Sequence, residues 1–205
     1  LGNTLIDIYA KCGKLTDAYK VFNYTPSRDA VTWSAIISGY AQHGHGHQTF
    51  KLIDMMKHQG IKPDPPMFLC VLKACSRNLC LREGRMVHQL IIVERFERDI
   101  SIGNALVDMY AKCGSLNEAE LMFEMLPVRD KVSWSAIIAG YCHQGLGFVA
   151  LEFFYRMQKE DVMVDKITLT SILKACALTE SLYQGMIIHD QIVRKDLNSD
   201  LVVGN

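Results

Sequence analysis

The sequence predicts an all-α array of stacked helical hairpins, and three observations carry that expectation. The first is a long internal repeat. Asn3, Asn104 and Asn205 recur at a spacing of 101 residues, TWSAIISGY at 32–40 returns as SWSAIIAGY at 133–141, and YAKCG at 9–13 returns at 110–114. The second is apolar spacing of the i, i+3, i+4, i+7 type inside the period, the mark of one-sided helices. The third is regular Gly and Pro punctuation without the alternating pattern of half-buried strands. A fixed long period marks a repeat array, and hairpins of ~35 residues bury both faces only by stacking on their neighbours. Function in such an array lies on a surface that successive units share.

Taken in chain order, Leu5, Ile6 and Tyr9 lead to a break at Gly13, and Leu15, Ala18 and Phe22 then lead to Pro26. Trp33, Ile36, Ile37 and Tyr40 form the next stripe, broken at Gln42-His43-Gly44. Thr49, Ile53 and Met56 follow and stop at Gly60 and Pro63. A third pair sets Phe68, Val71 and Leu72 against a helix bearing Gly84, His88 and Ile91. The second cycle repeats these elements. Leu106, Val107 and Tyr110 precede Leu116, Ala119 and Phe123; Trp134, Ile137, Ile138 and Tyr141 precede Ala150, Phe154 and Met157; Leu169, Ile172 and Leu173 precede Gly185, His189 and Ile192. A Gly inside a helix costs about 1 kcal/mol relative to Ala, so its recurrence at Gly84 and Gly185 predicts close helix approach. His88 and His189 take the slot of Phe22, Ile53, Phe123 and Phe154 and are expected to pack as core residues.

The chain has 205 residues, is 49% hydrophobic, and carries 22 Lys+Arg against 22 Asp+Glu. Zero net charge excludes a strongly basic surface, so nucleic-acid binding cannot rest on bulk electrostatics alone. Apolar runs fall short of the ~20 residues of a membrane span. The seven cysteines are an odd number, and in a chain of this size they read as reduced thiols rather than a disulfide framework. The sequon Asn23-Tyr24-Thr25 matters only in a secreted protein, which the cysteines argue against. Cys70, Cys75 and Cys80 are five apart, a step of roughly 140° on a helix, so they share no face and no metal site is expected. No P-loop, HExxH, nucleophile elbow or zinc-deaminase signature is found, and no catalytic residue, cofactor or small-molecule substrate is expected. The chain opens and stops inside repeats and reads as part of a longer array.

Hairpins of 31, 35 and 35 residues in rotation, bearing YAKCG, WSAII-x-GY and LKAC (72–75, 173–176), resemble pentatricopeptide-repeat proteins of the plant PLS subclass. The resemblance implies a right-handed α-solenoid with a partial S unit at 1–29, P at 30–64, L at 65–99, S at 100–130, P at 131–165, L at 166–200, and the start of another S at 201–205. It also implies binding of single-stranded organellar RNA, in a mitochondrion or chloroplast, with about one base read per repeat. The implied readers are an early residue of the first helix (Asn3, Ser34, Leu69, Asn104, Ser135, Thr170 and Asn205) and the unit-closing Asp29, Asp64, Asp99, Asp130, Asp165 and Asp200. A carboxylate accepts from the imino N–H of uracil or from guanine N1–H and its amino group. By the family's pairing rule Asn with Asp favours U and Ser or Thr with Asp favours G, giving 5′-U-G-n-U-G-n-3′ in the N-to-C direction. Leu69 cannot hydrogen-bond a base.

Val31, Val132 and Ile167 match the family's base-sandwiching position, with packing at a helix start as the alternative. Lys11, Arg77 and Lys112 are placed to meet phosphates, and equally to complement helix C-termini. The Asp series also suits helix N-capping, as a sole or second role. Many PLS proteins are RNA-editing specificity factors whose deaminase-recruiting E and DYW regions are absent here. The implied role is site recognition in RNA processing or C-to-U editing, with editing-complex proteins as further partners. A protein-interaction scaffold is the alternative.

Overall fold

The structure is a computed structural model that describes residues 2–194, with side chains through residue 190. Asp200, Asn205 and the segment 201–205 lie outside the described residues. Among those described, the chain forms twelve helices and no strand. They are α1 (Gly2–Lys11), α2 (Leu15–Tyr24), α3 (Ala30–Gln42), α4 (Gly46–His58), α5 (Pro65–Asn78), α6 (Leu81–Val93), α7 (Ile100–Lys112), α8 (Leu116–Met125), α9 (Lys131–His143), α10 (Gly147–Lys159), α11 (Lys166–Leu178) and α12 (Leu182–Arg194). Two compact units divide the chain, Leu1–Met109 and Tyr110–Asn205. In the first, α1 pairs with α2, α3 with α4 and α5 with α6, while α1 also packs on α3 and α3 on α5. In the second, α9 pairs with α10 and α11 with α12, and α9 packs on α11. Each unit thus contains first helices packed side by side, with α1, α3, α5, α9 and α11 each backed by the helix that follows it.

Turn chemistry explains the hairpins. The break after each first helix holds a residue in the left-handed region, Gly13, Gly44, Gly114 and Gly145 at φ of 73–79°, where Gly lacks the Cβ penalty. Leu79 (φ 55°) and Glu180 (φ 51°) take that place in the remaining hairpins. The unequal hairpin lengths come from the second helices. Both α2 and α8 stop after 10 residues in an extended cap, Thr25 or Leu126, just before Pro26 or Pro127. By contrast α4, α6 and α10 run for 13 residues.

The apolar stripes supply the core, with Phe22, Trp33, Ile36, Ile37, Phe68, Phe123, Trp134, Ile137, Ile138 and Phe154 all fully buried, while Leu5 of the first stripe is 40% exposed. Phe22 and Trp33 meet edge to face at 4.7 Å and 74°, and Phe123 and Trp134 reproduce both values. First helices pack at small residues. A methyl group on Gly39 would lie 2.6 Å from Ala10 Cβ, and one on Gly140 would collide with Ala111 Cβ.

Two expectations change. Gly84 does mark a close approach, because a Cβ there would strike the Met109 side chain, whereas among the described residues Gly185 meets only Cys176 Cβ at 4.0 Å. The register counterpart of Met109 falls past residue 205. The histidines are not core residues: His88 is half-buried and His189 exposed. Val87 and Ile188, one position earlier, are the buried side chains (0% and 1% exposed). In α6 the buried stripe is Gly84, Val87 and Ile91, so the core takes the i+3 rather than the i+4 position after the glycine. Partial burial holds the His88 pKa below its ordinary value.

Cys70 is exposed, Cys75 buried and Cys80 half-buried. Cys142 donates to Ser171 O at 3.0 Å, and burial pushes its thiol up to about 11. No described helix is long and apolar enough to cross a membrane.

Candidate nucleic-acid interface

Each described unit-closing Asp caps the following first helix. Oδ1 of Asp29 accepts from Thr32 N (2.8 Å), that of Asp64 from Met67 N (3.0 Å), that of Asp99 from Ile102 N (3.0 Å), that of Asp130 from Val132 N (2.9 Å) and Ser133 N (3.0 Å), and that of Asp165 from Thr168 N (2.8 Å). Short polar side chains in extended backbone just before a helix satisfy its otherwise orphaned N–H groups. A carboxylate offers about four lone-pair sites, so a cap on Oδ1 leaves further acceptor capacity.

Three of the early side chains, Asn3, Ser34 and Ser135, approach these carboxylates from the preceding first helix. Ser34 Oγ donates to Asp64 Oδ1 at 3.4 Å, and Ser135 Oγ to Asp165 Oδ1 at 3.2 Å. Asn3 reaches Asp29 through Thr32, whose Oγ1 lies 2.8 Å from Asn3 Oδ1 and 2.7 Å from Asp29 Oδ1. The Thr32 hydroxyl and N–H hold the Asp29 carboxyl below the usual carboxylate range, with a smaller contribution from the Asn3 amide. Ser135 is 6% exposed; it also donates to Lys131 O at 2.7 Å and lies 2.7 Å from Thr168 Oγ1. Asn104 is buried in the first compact unit. Leu69 is half-buried and brings no polar atom to Asp99. Thr170 is exposed and bonds back to Lys166 O of its own helix at 2.9 Å.

Val31, Val132 and Ile167 are 60%, 50% and 62% exposed. Each lies three residues before Ser34, Ser135 or Thr170, a spacing that puts both on one helix face. The edge therefore joins an aliphatic surface to a polar pair. The cations are less committed. Lys11 Nζ pairs with Asp7 Oδ2 at 2.6 Å, Arg77 Nη2 donates to Gln42 O at the end of α3 (3.4 Å), and Lys112 is exposed. For Arg77 the helix-terminus role is the one seen.

Thr32 and Thr168 had no place among the sequence-derived candidates. Their signal is a buried hydroxyl three residues after the closing Asp, easily read as part of a cap.

A sequence profile described as the PPR repeat family matches residues 28–77 and 129–177, and one described as PPR repeat matches 3–27 and 104–130. The chain belongs to the PPR repeat family. Among its Arabidopsis thaliana relatives, a putative pentatricopeptide repeat-containing protein is 43% identical over 94% of this PPR chain and 28% of its own length. A chloroplastic relative is 32% identical over 99% of the chain and 33% of its own length, and a mitochondrial one is 37% identical over 100% and 20%. The chain thus spans a third or less of these curated relatives. The crystal structure of the maize pentatricopeptide repeat protein PPR10 superposes with a TM-score of 0.75 at 20% identity, over 95% of this chain and 29% of that one. PPR10 in complex with an 18-nt psaJ RNA element gives 0.68 at 16% identity, over 94% and 33%. These likenesses establish a shared PPR fold.

Proposed function

We propose that this PPR array binds single-stranded RNA sequence-specifically, one base per hairpin, as the site-recognition part of an organellar RNA-processing or C-to-U editing factor. The observation that carries the reading is the convergence of Ser34 on Asp64 and of Ser135 on Asp165, each pair drawn from the two ends of one proposed P unit (30–64 and 131–165). A solvated helix surface has no reason to repeat a hydroxyl–carboxylate pair beside an exposed valine. Partner residues of this kind match the donor edge of guanine, and the Asn3–Asp29 pair matches uracil. Bases flanking each reader would lie against Val31, Val132 and Ile167, while Lys11, Arg77 and Lys112 would meet phosphates.

PPR10, of the same fold, has been crystallised with RNA, which supports RNA as the partner. Chloroplastic and mitochondrial relatives support an organellar location. The PLS register predicts 5′-U-G-n-U-G-n-3′, the units closed by Asp99 and Asp200 being open readers. Editing-complex proteins are further partners of the proposed role.

Substituting Ser135→Asn should move the preferred base of its hairpin from G to U, by about 1–3 kcal/mol. Asn3 and Asn104 stand at the same register in other hairpins. Titrating the chain with RNAs that differ only at the fifth base measures the shift, and an unchanged preference would refute base reading there.

A further inference from the structure

We infer that the buried hydroxyl of Thr168, and that of Thr32 at the equivalent place, is a third specificity-determining group that fixes which hydrogen-bonding face the reading pair shows a base. The inference rests on the base-reading proposal and deepens it. The hydroxyl belongs to neither reader. It is supplied by the next first helix, α11 behind Ser135–Asp165 and α3 behind Asn3–Asp29. Thr168 is 0% exposed and Thr32 1%, so neither touches RNA itself, and both act as positioning residues.

Capping does not explain the hydroxyl. The cap is made by the backbone N–H, and Asp64 and Asp99 are capped equally well, at 3.0 Å, over Met67 and Ile102, which have no hydroxyl. What Thr168 adds is a link: its Oγ1 donates to Asp165 Oδ1 at 2.9 Å and lies 2.7 Å from Ser135 Oγ.

Proton bookkeeping then determines the chemistry. Thr168 has one hydroxyl hydrogen, and the carboxylate, as the stronger acceptor, takes it. Ser135 must therefore give its one hydrogen inward, to Thr168 Oγ1 or Lys131 O, both 2.7 Å away, or to Asp165 Oδ1 at 3.2 Å. Outward, the pair then presents acceptors only: a serine lone pair and the remaining carboxylate sites. Two acceptors complement the N1–H and amino donors of guanine and repel the acceptor atoms of other bases. At the first hairpin the same device has a different outcome. The one Thr32 hydrogen is shared between Asp29 Oδ1 (2.7 Å) and Asn3 Oδ1 (2.8 Å), which turns the Asn3 oxygen inward and sets its NH₂ group beside the Asp29 carboxylate. A donor beside a carboxylate acceptor fits the mixed edge of uracil. Where Met67 stands in this place, Ser34 reaches Asp64 only at 3.4 Å, and Met67 has no hydroxyl to take part in the pair.

The test measures a ratio of affinities, which a loss of folded protein does not change. The full chain is titrated with a 5′-UGNUGN RNA and with fifth-base swaps to A, U and C, using wild type, Thr168→Val, Thr168→Ser and Ser135→Asn. Thr168→Val keeps shape and backbone cap, and should lower the preference for G at that base roughly three- to tenfold, the weight of one net hydrogen bond. Preference at the second base should stay as it was, and Thr168→Ser should restore discrimination. If Ser135→Asn moves the preference to U while Thr168→Val leaves it intact, the third-group inference is overturned and base reading stands. If Ser135→Asn moves nothing, both fall together. Should Thr168→Val fail to fold by circular dichroism, Thr32→Val read at the first base decides, with loss of U discrimination supporting the inference and full retention overturning it.

Discussion

The α3/α4 and α9/α10 hairpins share a nearly identical first helix, yet they differ on both of their edges. Their cores match: Trp33 and Trp134 are fully buried against Phe22 and Phe123 at the same 4.7 Å and 74°, and Gly39 and Gly140 face Ala10 and Ala111. On the edge proposed to read bases, Ser135 is tied to Asp165 and Thr168, whereas Ser34 has a single 3.4 Å contact. On the second helices, Arg156 of α10 pairs with Glu124 at 2.5 Å and lies over Phe153 at 4.8 Å. Arg129 joins Glu124 at 3.0 Å and Glu160 at 3.3 Å. In the first hairpin Met55, Asn23 and Gln59 hold the places of Arg156, Glu124 and Glu160. Arg28, in the place of Arg129, instead donates to Phe22 O and Asn23 O. Packing is thus written into the repeated first helix, while the chemistry at each edge is set by residues from neighbouring elements.

The strongest way to break the shared half of this comparison is at the glycines. Gly39→Val and Gly140→Val each drive a branched side chain into the alanine of the adjacent first helix. Overpacking of this kind costs about 1–3 kcal/mol, and backbone-proximal contact places both substitutions at the upper end. Urea melts of the two variants should show nearly equal losses. If one valine is accommodated without loss, the two first helices are not packed alike.

The unshared half is probed by Arg156→Met, which copies the first hairpin into the second. The ion pair is partly exposed, so the expected loss is about 1 kcal/mol, part of it lost cation–π packing. That loss should shrink in high salt. The reverse change, Met55→Arg, should gain nothing, because Asn23 and Gln59 offer no carboxylate. Thermal melts at low and high ionic strength measure both, and stabilisation by Met55→Arg would show that packing, not charge, is the source.

These contrasts explain what the sequence could show. Helix positions were legible because period and punctuation agree: Trp33, Ile36 and Ile37 all reach full burial, and Pro26 and Pro127 mark the short second helices. The Asp series was legible as one register, and its capping role follows from local chain chemistry. Contacts that depend on a partner chosen by stacking were not. Nothing local to Gly39 names Ala10, and nothing around Ser135 names Thr168, 33 residues away. The histidines misled for the same reason. A slot defined on one hairpin can pass to the neighbouring residue on another, since i+3 and i+4 share a helix face, and here Val87 and Ile188 lie inside instead.

The smallest effect tests whether the hydroxyl link exists in solution at the other threonine. In the folded chain the Asp29 carboxyl sits below its ordinary value, held mainly by the Thr32 hydroxyl and N–H. A carboxyl with a depressed folded pKa contributes stability that is present above the unfolded value of about 3.9 and is lost as pH falls through the lower, folded one. Thr32→Val removes the largest of those hydrogen bonds and keeps the backbone cap, so the Asp29 titration should move up towards the ordinary value without reaching it. Asp64, capped over Met67 with no hydroxyl at that place, lies away from the substitution and serves as the internal reference. Carboxyl-carbon NMR titration resolves the two groups in one sample. An Asp29 midpoint that does not respond to Thr32→Val would mean that the hydroxyl does not bond the carboxylate, and the difference between bridged and unbridged pairs would then need another cause.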